Sequence, residues 1–324
     1  MKNFESFLSV QLNEYLAYRE SLGYSLKSLR SHLLVFDRYL WETEADWKVI
    51  QPSFFLEMRA NLTMDSGSVN KILSTARFFF QFLIRQGYLE ENPLNNIPPL
   101  KEKTVVPFIF SPEQTDQLLD AVCKRVRRRG SFFLSDLAIY IAILLLARCG
   151  MRISEPLRLR LHHYRKDDVT LYIEKTKFRK DRLIPVPKTV MTEIENYHSV
   201  RRNLCLNDQN PYLLVSKRHR PLYEYQVRST FHRAVTDIGL KQPRKVIGNM
   251  IFNPPTPHSL RHSFAVNTLI KIKARGENPQ YALPVLATFL GHSVYKHTTI
   301  YLKVADAISR KRLLDFSLWQ RKKT

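Results

Sequence analysis

Residues 256–262 read Thr-Pro-His-Ser-Leu-Arg-His; further on come Gly291-His292-Ser293 and, nine residues after His292, Tyr301. Thr256 suits a helix N-cap and Pro257 the first helical position, so the spacing predicts a helix with His258 in its opening turn and Arg261 three residues on, along the same face. A helix N-terminus that presents His and Arg together is a phosphate site, because its unpaired N–H groups and the side-chain cations favour the same anion. Nine residues make about two and a half helical turns, so one unbroken helix would aim His292 and Tyr301 to opposite sides. They converge only if the chain bends between them. Each element is common alone, since a lone His-x-x-Arg is usually a surface or packing feature and a Tyr after Thr-Thr-Ile is usually half-buried core. The combination carries the argument.

Length and charge set the frame. At 324 residues the chain is too long for one ordinary core and suits two domains, and 44% hydrophobic content with nineteen Phe and fifteen Tyr is enough to fill both. The formal charge is +22 and unevenly placed: residues 1–100 carry ten Lys/Arg against eleven Asp/Glu, and the remainder forty-one against eighteen. Such a field favours a polyanion, of which a phosphate backbone is the commonest, although ribosomal and membrane-surface proteins share a basic balance. Cys123, Cys149 and Cys205 are widely spaced with no Cys-x-x-Cys pair, which argues for a reducing compartment and against a disulfide framework or zinc site. The N-terminus lacks a signal-peptide pattern, so cytoplasmic residence is expected. Phe132 to Ala147 is the most apolar stretch; Ser135 and Asp136 interrupt it, and it is too short for a bilayer, so it reads as a buried helix.

The first hundred residues are helical in period. Phe4, Phe7, Leu8, Leu12, Tyr15 and Leu16 form one apolar stripe, and Leu26, Leu29, Leu33, Phe36 and Leu40 another. A third helix is expected from about Pro52, and a fourth from a Ser66 cap through Val69, Ile72, Leu73, Ala76, Phe79, Phe80 and Leu83 to Gly87. The prolines from Pro93 to Pro107 mark a connection without periodicity. The expected division is a helical domain at 1–96, a linker at 97–110 and a second domain at 111–324 that ends in a tail.

That second domain should open at Ser111-Pro112-Glu113-Gln114, a cap, a first-turn proline and the Gln of a capping box. The run Lys124-Arg125-Val126-Arg127-Arg128-Arg129 is equally well a solvated surface or an anion contact. After the buried helix stops at Gly150, Arg152 stands on a turn, where a guanidinium is held yet reaches a ligand. Val169 to Glu174 alternates as a strand, and Arg182 to Val186 can pair back on it. Lys175-Thr176-Lys177-Phe178-Arg179-Lys180-Asp181 between them is rich in cations, and on the residues alone it is a contact to backbone phosphate. Helices follow around Val190 to Leu204 and Tyr225 to Gly239. Neither Lys241 to Pro255 nor the segment between Ile270 and Leu286 carries a readable role.

Taken together, these residues resemble the tyrosine recombinase (integrase) family, whose signature is His-x-x-Arg, then Gly-His, then a tyrosine nucleophile nine residues later. Ala147-Arg148-Cys149-Gly150-Met151-Arg152-Ile153-Ser154-Glu155 is similar to that family's first arginine motif, Thr-Gly-Leu-Arg-x-Ser-Glu-Leu, with Met151 in place of Leu and Pro156 in place of the final Leu. The resemblance implies a fold that is mainly α with a small β-sheet: an N-terminal helical bundle, core-binding and SAM-like, which grips one side of a duplex, and a mixed α+β catalytic domain. It implies Arg152, Lys177, His258, Arg261, His292 and Tyr301 as catalytic, Glu155 as supporting, and Lys175 as the alternative lysine. In such an enzyme Arg152 and Arg261 neutralise the phosphate, His258 exchanges the tyrosine proton, His292 bonds the phosphate, Lys177 protonates the leaving 5′ oxygen and Tyr301 holds the 3′ phosphate. Neither cofactor nor metal is expected, because no carboxylate cluster of two-metal type accompanies the basic residues. The expected partners are double-stranded DNA with paired recombination sites and further copies of the chain, two per site and four in a synapse, in the service of a mobile element. Ala307, Ile308, Leu313, Leu314, Phe316, Leu318 and Trp319 form an apolar tail set that folds onto its own domain or docks into a neighbouring protomer. A type IB topoisomerase shares the nucleophile and the arginines, and a catalytically silent DNA-binding relative is the third reading.

Overall fold

The computed structural model describes residues 3–128, 132–174, 181–205, 209–216, 220–292, 295–296 and 298–308. The chain divides into two compact units, Met1–Thr104 and Val105–Thr324. The first is all helical: α1 (Ser9–Ser21), α2 (Leu26–Glu42), α3 (Pro52–Asn61) and α4 (Ser66–Arg85). Both expected stripes point inward. Leu8, Leu12, Tyr15, Leu33, Phe36 and Leu40 are buried with the whole α4 series from Val69 to Leu83, and Phe36, Phe55, Phe79 and Phe80 meet edge-on or stacked with centroids 5.4–6.4 Å apart. The cap of α4 is Asp65, not Ser66: its carboxylate accepts the Ser68 N–H at 3.1 Å from an extended backbone, and the helix starts at Ser66. Buried Asp37 accepts the N–H groups of Glu5 and Ser6 at 2.9 and 3.1 Å and so ties down the segment before α1. The proline-containing stretch is anchored too. Arg77 donates to the carbonyls of Leu94 and Ile97, and Asn70 exchanges hydrogen bonds with Leu100.

In the second unit α5 (Pro112–Lys124) carries the expected capping box between Ser111 and Gln114. Next, α6 (Phe133–Cys149) is apolar on every side because α5, α7 (Lys188–Leu204), α8 (Glu224–Asp237) and α9 (Pro257–Ala274) surround it. Strands β2 (Tyr164–Arg165), β3 (Thr170–Ile173) and β4 (Arg182–Pro185) form an antiparallel sheet in which Leu171 opposes Ile184 and Ile173 opposes Arg182. Leu171, Ile173 and Ile184 are its buried face, as period-two alternation demands. The hairpin turn 175–180, which holds Lys175 and Lys177, lies outside the described residues.

The stretch that carried no readable role before α9 forms a hairpin, β5 (Lys245–Ile247) and β6 (Met250–Phe252), turning at Gly248 with φ 57°. Beside it runs β1 (Thr104–Val106), giving the order β1-β6-β5. The second such stretch is the end of α9 and the start of α10 (Pro279–Leu290), where the Asn278 side chain caps the Gln280 N–H. Gly291 at φ 64° closes α10, and residues 298–308 are helical again. The apolar tail positions beyond Ile308 fall outside the described residues. No described helix is long and apolar enough to cross a membrane.

Gly150 ends α6 in the left-handed conformation at φ 56°, and a Cβ there would stand 2.6 Å from Phe264 Cδ1 and 3.1 Å from Leu290 Cδ2. Gly150→Ala combines the cost of a left-handed Ala with overpacking between α9 and α10, about 2 kcal/mol or more. Thermal melts should show the variant several degrees less stable, at roughly 2–4 °C per kcal/mol for a unit of this size. An unchanged melting temperature would show that Phe264 yields without cost.

Candidate active site

The site forms where the C-termini of α6 and α10, the N-terminus of α9 and the helical stretch 298–308 meet. Arg152 follows Gly150 and the buried Met151, so its backbone is fixed by the turn out of α6. Its Nη1 donates to Glu155 Oε1 at 3.0 Å, its Nη2 to the Gly291 carbonyl at 2.7 Å, and its backbone N–H to Glu155 Oε2 at 2.8 Å. Glu155 also receives both Nη groups of Arg182, at 3.0 and 2.9 Å, and Arg182 Nε donates to the Phe289 carbonyl at 2.8 Å. One buried carboxylate therefore orients two guanidiniums. Arg152 keeps 21% of its side chain exposed and Arg182 only 6%, so Arg152 is the one that can turn donors toward a ligand.

Arg261, 1% exposed, sits on the second turn of α9. Its Nη1 donates to the Gly150 carbonyl at 2.8 Å and its Nη2 to the Leu290 carbonyl, the terminal carbonyls of α6 and α10. Burial and then the charge of Arg152 push its pKa down to about 9, against the pull of Glu155 and Tyr301, so it is still a cation at neutral pH. Two cations thus converge in a largely dry place, held there by helix ends and by one carboxylate.

His292 and Tyr301 do not share one unbroken helix: residue 292 is not helical, and residues 298–308 are. The left-handed Gly291 turns the chain, His292 N–H returns to the Ala287 carbonyl at 3.0 Å, and His292 Nδ1 lies 2.8 Å from Thr298 Oγ1. The His292 ring then lies over Tyr301 with centroids 6.0 Å apart and planes 28° off parallel. Tyr301 is 3% exposed; burial raises its pKa, and Arg261 and Arg152 pull the other way.

His258 stands in the opening turn of α9, with Thr256 N–H on Ser259 Oγ at 3.0 Å closing the cap. The expected exchange of the Tyr301 proton with His258 is not what the contacts show. The ring at the Tyr301 hydroxyl is His262, its Nδ1 3.0 Å from the oxygen, while His258 packs edge-on against His262 at 4.5 Å. The reason is helical: 262 is one turn deeper than 258, facing residues 298–308, whereas 258 is left at the open end. The His258 pKa is pushed down to about 4, first by the atoms crowding the ring and then by Arg261, Arg152 and Arg228, although the ring keeps an exposed face. His262 is held down to about 3, by burial and then by His258, Arg261 and His292.

Arg152, Glu155, His258, Arg261, His292 and Tyr301 are therefore brought together, while Lys177 and Lys175 are not among the described residues. Sequence reasoning passed over His262 and Arg182. The first was visible as the residue one helical turn after His258; the second was read only as the start of a strand.

The family model described as phage integrase family matches residues 109–307. Tyrosine recombinase XerA of Pyrococcus furiosus is 27% identical over 310 residues, 94% of this chain and 94% of its own length. Among solved structures, XerH site-specific recombinase bound to a palindromic difH substrate superposes with a TM-score of 0.70 at 18% identity, covering 96% of this chain and 84% of that one. A lambda integrase tetramer bound to a Holliday junction gives 0.65 at 17% identity, covering 91% and 76%. These two likenesses concern the fold.

Burial by itself raises the Glu155 carboxyl, but Arg182, the Arg152 N–H and Arg261 outweigh it and hold the pKa below the usual glutamate range. A depressed folded value means that the stabilisation is fully present above the unfolded pKa of about 4.3 and is lost as pH falls through the lower folded value. Glu155→Gln strands the buried Arg182 charge, a loss of about 3–5 kcal/mol at neutral pH by analogy with broken buried pairs. Melting curves of the two proteins should differ widely at pH 7 and draw together below about pH 4. A gap of constant size from pH 7 to pH 3 would remove the carboxylate from this role.

Proposed function

This chain belongs to the phage integrase family and is a tyrosine recombinase, and from that premise we propose that it cuts and rejoins duplex DNA through a covalent bond between Tyr301 and a 3′ phosphate, in the service of a mobile element. The observation that carries the reading is the gathering around one tyrosine of two guanidiniums and three imidazoles, supplied by α9 and by the turns that follow α6 and α10. A phenol is a weak nucleophile at neutral pH and a phosphodiester repels anions, so attack needs positive charge preorganised on the non-bridging oxygens.

Arg152 supplies that charge from the open side and Arg261 from beneath, each a planar fork suited to phosphate. His258, at the helix N-terminus, faces the phosphate from the positive end of the α9 dipole. His292 donates a hydrogen bond to the phosphate as it becomes pentacoordinate. Lys177 protonates the departing 5′ oxygen, with Lys175 as the alternative. The 3′ phosphotyrosine conserves the energy of the broken bond, so religation needs no ATP. Double-stranded DNA with paired sites is the substrate. The working assembly is two protomers per site and four in the synapse, a reading supported by likeness to the lambda integrase tetramer bound to a Holliday junction.

Tyr301→Phe should bind the duplex with wild-type affinity and form no covalent complex on a nicked suicide substrate read on a denaturing gel. Persistence of protein attached to DNA would move the nucleophile elsewhere, with the exposed Tyr295 next in line.

Lys177→Ala should slow cleavage of an ordinary duplex by about 10²–10⁴-fold and recover on a 5′-bridging phosphorothiolate, whose sulfur leaves without a proton. Lys175→Ala should instead weaken binding in a way that added salt mimics. Rescue of Lys175→Ala alone would exchange the two assignments.

A further inference from the structure

We propose that His262 is the general base of the cleavage step, accepting the Tyr301 proton on Nδ1. The inference rests on the reading of Tyr301 as nucleophile and deepens it, because it assigns the proton to a ring one turn inside the His-x-x-Arg pair. Geometry comes first: His262 Nδ1 is 3.0 Å from the Tyr301 hydroxyl, within reach for direct transfer, and the two rings lie 5.5 Å apart at 58°. His258 is separated from the tyrosine by His262, edge to face at 4.5 Å.

To accept a proton, His262 must be neutral with its own hydrogen on Nε2. Burial enforces neutrality first, and then His258 and Arg261 on its own helix and His292 from the segment after α10. Arg152 and Arg261 face Tyr301 from the turn after α6 and from α9, and they lower the cost of its anion. A phosphodiester seated on the two arginines offsets the Arg261 charge, which adds to burial in keeping His262 neutral, so the ring gains basicity as substrate arrives.

The step balances. The Tyr301 O–H bond breaks and its proton goes to His262 Nδ1; the oxygen's electron pair forms the O–P bond; the P–O5′ bond breaks with its pair on the 5′ oxygen, which takes a proton from the Lys177 ammonium of the reading above. Religation runs the same transfers backwards, and His262 returns its proton to the departing phenol.

The test is single-turnover cleavage of a suicide duplex by full-length His262→Asn from pH 6 to pH 9, beside wild type and Tyr301→Phe, with DNA affinity and a thermal melt measured for each. His262→Asn should bind normally and cleave about 10²–10⁴-fold more slowly at pH 7. Its rate should climb roughly tenfold per pH unit, because only spontaneously ionised phenol then reacts, whereas the wild-type profile stays flat around neutrality. Added imidazole should restore part of the rate to His262→Gly. Wild-type rate and profile in His262→Asn would overturn the assignment, as would a uniform loss at every pH with no imidazole rescue, the mark of a structural role. Should the Asn variant melt early, His262→Gln and the imidazole rescue decide by the same criteria. Covalent complex in Tyr301→Phe is a separate outcome: it overturns the choice of nucleophile, and with it the premise of this inference.

Discussion

A guanidinium buried between two helix ends holds this site together. Arg261 donates to the last carbonyls of α6 and α10, groups that a helix leaves without internal partners and that carry the negative end of its dipole. A cation satisfies them better than a neutral donor, and the two carbonyls in turn compensate a charge that would be costly in so dry a place. The contact also fixes distances. Gly150 and Leu290 are the residues before Met151-Arg152 and Gly291-His292, so one side chain of α9 sets the starting points of both segments that carry the other functional groups.

Glu155 solves the complementary problem. Arg152, Arg182 and Arg261 crowd one region, and like charges at such range repel strongly where water is scarce. A single carboxylate, 7% exposed, shares its oxygens between Arg152 and Arg182 and adds attraction to Arg261. Without it the cluster would relax toward solvent. With it Arg152 remains partly open, aimed and charged before any ligand arrives, which is what preorganised stabilisation of a developing anion requires.

The tyrosine is buried, its hydroxyl on His262 and its ring under His292. Burial makes the phenol less acidic, and the two arginines counter part of that. Burial first, and then neighbouring groups that include Arg261, keeps His258 and His262 neutral. Neutral rings and permanent cations are a division of labour: the arginines supply charge, and the histidines remain able to take up or give a proton.

Much of this was legible in the sequence, because its signals are local. Apolar period marked α1, α2 and α4, the dense apolar character of 132–147 marked α6, the Ser111 to Gln114 box marked the start of α5, and the Thr256-Pro257 cap marked that of α9. Spacing alone demanded a break between His292 and Tyr301, and residue 292 lies outside the helical stretch 298–308 that carries Tyr301. Tertiary structure decided what local signals do not encode. Asp65 rather than Ser66 caps α4, because from an extended backbone its carboxylate meets the Ser68 N–H. Arg182 reads as an edge cation of a strand until the fold carries it to Glu155, 27 residues away in sequence. His262 and His258 look interchangeable as neighbours on one helix face. Which of them meets Tyr301 depends on how deep along α9 the helix 298–308 crosses, and that depth is set by packing between elements far apart in the chain.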